Sequence, residues 1–357
     1  MVDQSVQALP DPGRPLRLGT RASELATSQS GWVADRLREA GLEVELVPVR
    51  TVGDVSRASL SEIGGTGVFA SALRQALHEG TIDLAVHSLK DLPTTPEPGL
   101  VVAAVPERED PRDALVARDG LTLDTLPRGA AVGTGSPRRA AQLAQVRPDL
   151  DVRDIRGNVG TRIAMVRDGR LDAVVLACAG LSRLGRLDEA TDRLDLRTML
   201  PAPGQGALAV ECRDGDAPLA DLPADVTLTD ADLRALLAQV LEHPPTRAAV
   251  TAERAVLNRL EAGCTAPVGA YAAPATAPDA STPDAAAPAD GEAGDGRHAP
   301  LTLAVFVALQ HPQRHEQTGS DPVLLGRTVA EALLNRPDPD RPADRPDGGP
   351  GVSHTGA

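Results

Sequence analysis

Residues 16–50 read LRLGTRASELATSQSGWVADRLREAGLEVELVPVR, and the fold turns on this stretch. Residues 16–20 are extended, residues 23–40 carry the apolar spacing of a helix that Gly41 stops, and residues 43–50 are extended again. Downstream, residues 69–79 predict a second helix ending at Gly80, and residues 82–88 an apolar strand, which completes a βαβαβ unit. A second such unit follows: a strand at 130–134, a helix from Ser136, a strand at 151–155, a helix over 158–168 and a strand at 173–178. Two parallel-sheet domains are expected, joined by a crossover at 100–117, with residues 206–212 returning as a strand to the first.

Beyond that return the pattern changes. Helices at 230–242 and 247–261, strands at 268–272 and 301–309 and a helix at 323–335 predict a small α+β unit. Residues 273–300 and those from 337 on are rich in Ala, Pro, Asp and Gly, too poor in large apolar side chains to offset the entropy of ordering, and are expected to be disordered. The domain expectation is therefore 16–105 with 202–218, 106–201 and 222–336, the last carrying the 273–300 insertion, followed by a tail at 337–357.

With 357 residues, 41% of them hydrophobic, the chain can bury several cores, yet its longest apolar runs, at 173–181 and 301–309, are only strand-sized. The first fifteen residues show no basic start followed by an apolar stretch, so a soluble protein without a secretory signal is expected, in the cytoplasm. A formal net charge of -14 and an aromatic content of 1% argue against nucleic-acid and anionic-membrane partners, which need an extended positive field or stacking rings. Three cysteines, Cys178, Cys212 and Cys264, suit neither a disulfide framework nor a zinc site, and no metal is expected. All but one of the 36 basic residues are arginine; the exception is Lys90, which suggests a place where a compact ammonium does what a planar guanidinium cannot.

Three strand-to-helix junctions share one design. Gly19-Thr20-Arg21-Ala22-Ser23, Gly133-Thr134-Gly135-Ser136-Pro137-Arg138-Arg139 and Arg156-Gly157-Asn158-Val159-Gly160-Thr161-Arg162 each place free backbone N–H groups and arginine at one edge of a sheet. Ordinary caps account for Ser, Thr and Gly. They do not account for Arg138, Arg139 and Arg162 in a first turn, where a cation opposes the helix dipole unless an anion is shared. No phosphate-loop run is present, so carboxylates, which match guanidinium forks bidentately, are the expected ligand. Asp91, in His87-Ser88-Leu89-Lys90-Asp91 after a strand, is a turn residue or a general acid/base. Cys264 follows a helix in a loop, whereas Cys178 and Cys212 fall in apolar strands and read as packing.

Taken with Arg108-Glu109-Asp110-Pro111-Arg112-Asp113, Leu200-Pro201-Ala202-Pro203-Gly204-Gln205-Gly206 and Gly263-Cys264, these motifs resemble, in order and spacing over about 16–335, the successive signatures of the porphobilinogen deaminase family. The resemblance implies two α/β domains similar to type II periplasmic binding proteins flanking a cleft, plus a small C-terminal α+β domain. It implies a dipyrromethane cofactor on Cys264 through a thioether, porphobilinogen as substrate, hydroxymethylbilane as product and a monomer. Asp91 would donate and accept protons. Arg21, Arg138, Arg139, Arg156, Arg162 and Arg183 would hold acetate and propionate groups, helped by Ser23, Lys90, Thr134 and Ser136. Thr66 stands where many members have lysine in a glycine-rich loop, Gly135 where serine is frequent, and the insertion after Tyr271 lengthens the third domain; these departures bear on lid contacts rather than on the reaction.

Overall fold

The computed structural model describes residues 12–49, 68–262, 266–275, 299–309 and 311–335. The first sheet contains β1 (Leu16–Arg21), β2 (Val44–Val49), β3 (Leu84–Ser88), β4 (Leu100–Ala104) and β10 (Leu208–Arg213), in the order β2-β1-β3-β10-β4. Helix α1 (Glu24–Glu39) covers one face because Val33, Ala34 and Leu37 fall on one side of it and close on Leu16 and Leu18. The Ser23 hydroxyl caps it by accepting from the Ala26 amide at 3.3 Å, and Gly41, at φ +92°, releases the chain toward β2. Helix α2 (Val68–His78) covers the opposite face, where Leu73 and Leu77, one turn apart, meet Ile82 and Ala85. With both faces covered, β3 is apolar at consecutive positions rather than alternate ones.

The second sheet has β5 (Asp113–Ala117), β6 (Ala131–Gly133), β7 (Asp151–Arg153), β8 (Ala173–Ala177) and β9 (Asp192–Arg193), in the order β7-β6-β8-β5-β9. Its helices are α3 (Pro137–Val146), α4 (Val159–Arg167) and α5 (Cys178–Arg183). Both sheets are mixed, which corrects the expectation of parallel ones: β10 runs antiparallel to β3 and β4, and β5 antiparallel to β8 and β9. The stretch 100–117 is likewise not one crossover. Its two apolar runs are β4 in the first sheet and β5 in the second, and only 105–112 bridges them; residues 200–207 bridge back.

The C-terminal unit stacks α7 (Pro244–Arg259) and α8 (Pro322–Leu334) on an antiparallel sheet of β11 (Val268–Pro274), β12 (Leu301–Val307) and β13 (Gln313–Gly319). Helix α6 (Asp230–Leu241), expected in this unit, instead buries Leu233, Leu236, Leu237 and Leu241 against Leu16, Leu84 and Val210 in the first domain's core. Strand β11 runs to Pro274, two residues into the stretch expected to be disordered, and the Ala275 amide donates to the Pro300 carbonyl at 2.7 Å; residues 276–298 and 336–357 lie outside the described residues.

The crossovers touch where the Glu109 amide donates to the Gly206 carbonyl at 3.2 Å. Gly206 sits at φ +88°, and a Cβ there would lie 2.4 Å from the Glu109 oxygen, so only glycine fits. Glu253 of α7, with a fully buried side chain, binds both crossovers to the third domain. Its carboxylate accepts from Arg108 Nη1 (2.6 Å) and Nη2 (3.1 Å), the Gly204 amide (2.7 Å) and the Ala272 amide (3.0 Å). Glu253→Ala strands a buried guanidinium and two amides, so the loss expected is about 3–5 kcal/mol of folding free energy. A lower urea midpoint at unchanged m-value would register it.

Candidate active site

Most of the described residues singled out from the sequence follow the carboxyl ends of parallel strands, where open α/β sheets bind ligands. Strand β3 runs into a single 3-10 turn, Leu89–Asp91, which presents Lys90 and Asp91. Strand β6 leads through Thr134 and Ser136 into α3, and β7 through Arg156 and Asn158 into α4; Arg183 closes α5.

Three cavities adjoin along this edge. One of about 110 Å³ is lined by Ser88 and Lys90 of the first domain, Arg139, Arg162 and Arg183 of the second, and Gln205 of the returning crossover. A larger one, about 380 Å³, has Lys90, Asp91, Pro93 and Thr94 on one wall and Leu257, Asn258, Glu261 and Ala262 of the third domain on the other. A third, about 30 Å³, joins Arg21, Gln29 and His87 to Asp91. Lys90 therefore borders the first two and Asp91 the second two. The chain arrives at the larger cavity through Ala262, two positions before Cys264, which lies outside the described residues, as do the glycine-rich loop at 64–67 and its Thr66.

Burial pushes the Lys90 ammonium below its ordinary value; Asp91 and Asp113 oppose that push, while Arg139 and Arg138 add to it. Its Nζ lies 3.5 Å from Gln205 Oε1. Burial likewise pushes the Arg183 guanidinium down, to about 10, with Glu109 opposing, and Arg183 Nη2 donates to the Gly206 carbonyl at 2.7 Å. Arg162 is lowered by burial and then by Arg139 and Arg156, and its Nε donates to the Gly157 carbonyl at 2.7 Å. Cations crowded and desolvated in this way favour an anion among them.

Not every expected ligand faces this space. Arg138 is turned inward, its side chain 4% exposed, and borders none of the three cavities. Arg138 Nη1 donates to Asp113 Oδ2 at 2.8 Å, and Arg139 Nη2 to Asp113 Oδ1 at 2.7 Å. The anion that the first-turn arginines of α3 demanded is thus, for these two, a carboxylate of the chain itself. Arg139 still reaches the first cavity, and its buried Nε has no hydrogen-bond partner among the described residues. Arg156 is exposed and 3.4 Å from exposed Asp154. Ser23 is occupied as the cap of α1, and buried Thr134 accepts from the Ser136 amide at 3.2 Å. Ser136 holds the N-cap position of α3, yet its side chain makes no capping bond.

Sequence reasoning did not single out Gln205 or Asp113, although both lie in quoted motifs; the signal was an acid beside arginines at a crossover. Cys178 opens α5 rather than ending a strand. Both described thiols are fully buried: burial, then Asp110 and Asp113, push Cys178 up to about 11, and burial, then Asp230, push Cys212 up to about 12. Among the described residues no group of three His, Cys, Asp or Glu side chains could hold a metal ion, and no helix is long and apolar enough to cross a membrane.

The family profile described as "Porphobilinogen deaminase, dipyromethane cofactor binding domain" matches residues 16–221, and "Porphobilinogen deaminase, C-terminal domain" matches 247–278. The chain belongs to the porphobilinogen deaminase family. A relative named porphobilinogen deaminase from Thermobifida fusca is 61% identical over 259 residues, 72% of this chain and 77% of that protein. Another of that name from Cutibacterium acnes is 51% identical over 330 residues, 90% of this chain and 94% of its own. Among solved structures, the Bordetella pertussis BvgS VFT2 domain overlaps 63% of this chain and 85% of that one at 18% identity and a TM-score of 0.37. The dipyrromethane that this deaminase family implies carries carboxylates, and the site fits such a group: Arg139 is nine-tenths buried on the cavity wall, its Nε without a partner among the described residues, beside Lys90, Arg162 and Arg183.

Proposed function

We propose that this protein is a hydroxymethylbilane synthase that joins four porphobilinogen molecules head to tail, releasing ammonia at each coupling and the linear tetrapyrrole on hydrolysis. The observation that carries the reading is the placement of Asp91 and Lys90 on a wall shared by adjoining cavities, one of which is ringed by Arg139, Arg162 and Arg183. The dipyrromethane, when bound, supplies the pyrrole carbon from which the chain is extended, and Cys264 is its assigned point of attachment, the other two thiols being buried and hard to ionise.

Within the site the arginines and Lys90 bind and orient substrate carboxylates, which the acidic protein as a whole would repel. Arg139, Arg162, Arg183 and Lys90 are assigned to direct contact; Arg21 faces the smallest cavity and Arg156 the outer surface. As the C–N bond of the substrate's protonated aminomethyl group breaks, the electron pair leaves with the nitrogen as ammonia, and the Asp91 carboxylate stabilises the cationic pyrrole left behind. When the new C–C bond forms, Asp91 Oδ accepts the proton that the pyrrole carbon loses. The reading carries with it a monomer in the cytoplasm and the domain division 16–105 with 202–218, 106–201 and 222–336, with α6 counted to the first.

Incubation of the purified protein with porphobilinogen should release one ammonia per pyrrole consumed and give a linear tetrapyrrole, identified by mass spectrometry. Binding without ammonia release would overturn the assignment in favour of a carboxylate-binding protein of the same architecture.

A further inference from the structure

The motif Arg108-Glu109-Asp110-Pro111-Arg112-Asp113 has no part in the reaction as assigned, and its last residue has an unusual set of partners. Asp113 opens β5 at the end of the outgoing crossover, and its side chain is fully buried. Oδ1 accepts from Arg139 Nη2 at 2.7 Å and from Gln205 Nε2 at 2.8 Å; Oδ2 accepts from Arg138 Nη1 at 2.8 Å. Gln205, 1% exposed on the returning crossover, also donates from Nε2 to the Pro111 carbonyl at 2.7 Å. With two acceptors around its nitrogen the amide has one sensible orientation, which points Oε1 at the Lys90 ammonium, 3.5 Å away. One carboxylate thus touches two arginines of the second domain and, through one amide, the lysine of the first.

We propose that Asp113 is a positioning residue that sets the carboxylate-binding side chains of the two domains as a unit, holding Arg139 directly, with Arg138 braced beside it, and Lys90 through Gln205. The inference rests on the cleft being the porphobilinogen site. The physical case is one of compensation. Arg138 and Arg139 are consecutive buried cations in the first turn of α3, where the helix dipole and each other's charge oppose them. A single buried anion holds both, and Arg139 Nη1 is fixed further by the Val175 carbonyl at 2.9 Å. Burial alone would raise the Asp113 carboxyl, but the two guanidinium groups hold it well below the usual carboxylate range, so it stays charged throughout the working range. One negative charge against Arg138, Arg139 and Lys90 leaves the cluster positive, and Arg139 and Lys90 carry that charge to the cavity. Because Gln205 and Asp113 sit on opposite crossovers, a shift between the domains moves Lys90 relative to Arg139 only if this link gives.

The molecule contains its own control. Asp83, immediately before β3 at the far end of the first sheet, is equally buried and also clamps two arginines, accepting from Arg14 Nη1 at 2.7 Å and Arg17 Nη2 at 3.0 Å, but it borders none of the three cavities. Asp113→Asn and Asp83→Asn should both lower the melting temperature. Only Asp113→Asn should raise KM for porphobilinogen, by about tenfold or more, with kcat within about threefold. The same weakening should show in the calorimetric Kd for porphobilinogen in an Asp91→Ala background, where turnover is slow. If Asp113→Asn gives no folded protein, Gln205→Leu, which keeps the Asp113–arginine pairs and removes the amide that joins Asp113 and the Pro111 carbonyl to Lys90, should raise KM in the same sense. Unchanged KM and Kd in a folded Asp113→Asn, or in Gln205→Leu where that is the variant available, reduce Asp113 to a structural counter-ion and overturn the proposal. The unsubstituted chain, assayed in parallel, separates this failure from failure of the functional reading: no turnover of porphobilinogen there removes the site itself.

Discussion

Asp91→Ala should turn over porphobilinogen roughly 10² to 10⁴ times more slowly than the unsubstituted chain, the range expected when a positioned acid/base is lost. Expressed as a barrier, that is about 3–5 kcal/mol. The expectation rests on position. Asp91 is exposed at the end of the 3-10 turn that follows β3, on the wall between two cavities, and among the described residues no ion pair ties up its oxygens. Being exposed, it contributes little to folding, so the variant should melt near the parent temperature and the kinetic loss can be assigned to chemistry. KM should change little, because the substrate's carboxylates are held by Lys90 and the arginines. Asp91→Asn should be nearly as slow, since an amide keeps the shape and can neither accept the proton nor stabilise the cationic pyrrole by charge. A parent-like kcat in either variant would remove Asp91 from the mechanism.

The second large effect is all-or-none. The native chain should weigh more than its sequence by two pyrrole units, and Cys264→Ser should lack that increment and turn over no measurable porphobilinogen. Thioether formation needs a thiolate or a readily ionised thiol. Cys178 and Cys212 are 0% exposed, and their thiols are pushed to about 11 and about 12, so neither meets that need near neutral pH. Cys178→Ala and Cys212→Ala should keep the adduct and lose only packing energy, about 1 kcal/mol or more each. An adduct persisting in Cys264→Ser would move the attachment point to another side chain.

The sequence was most readable where local chemistry is self-sufficient. Ser23 as a cap, Gly41 as a stop and the apolar side of α1 can each be recognised from a few neighbours, and so can the arginines gathered at strand ends. What could not be read depends on distant partners. The apolar runs at β4, β5 and β10 show that strands exist but carry no sign of direction, so the antiparallel pairings were missed. Strand β13, Gln313–Gly319, is polar on both faces at a sheet edge and has no apolar period to betray it. Helix α7 begins at Pro244, three residues before the predicted start, because proline is tolerated in a first turn. Helix α6 was placed to within one residue but given the wrong neighbours: its leucines specify burial but not which core receives them. The arginines of α3 fared similarly. Their need for an anion was legible; that Asp113, 25 residues away from Arg138, supplies it was not.

The late return of β10 to the first sheet has a consequence for a chain made from its amino end. Sheet order β2-β1-β3-β10-β4 leaves the middle of the first domain vacant until residues 208–213 leave the ribosome, after the whole of the second domain has emerged, whereas the second sheet holds all its strands once Arg193 is out. The later-encoded domain can therefore close first, while β3 and β4 wait with unpaired edges exposed to other chains. Fast translation through residues 105–213 shortens that wait, so the pace of synthesis acts on aggregation of the nascent protein rather than on the stability of the finished one.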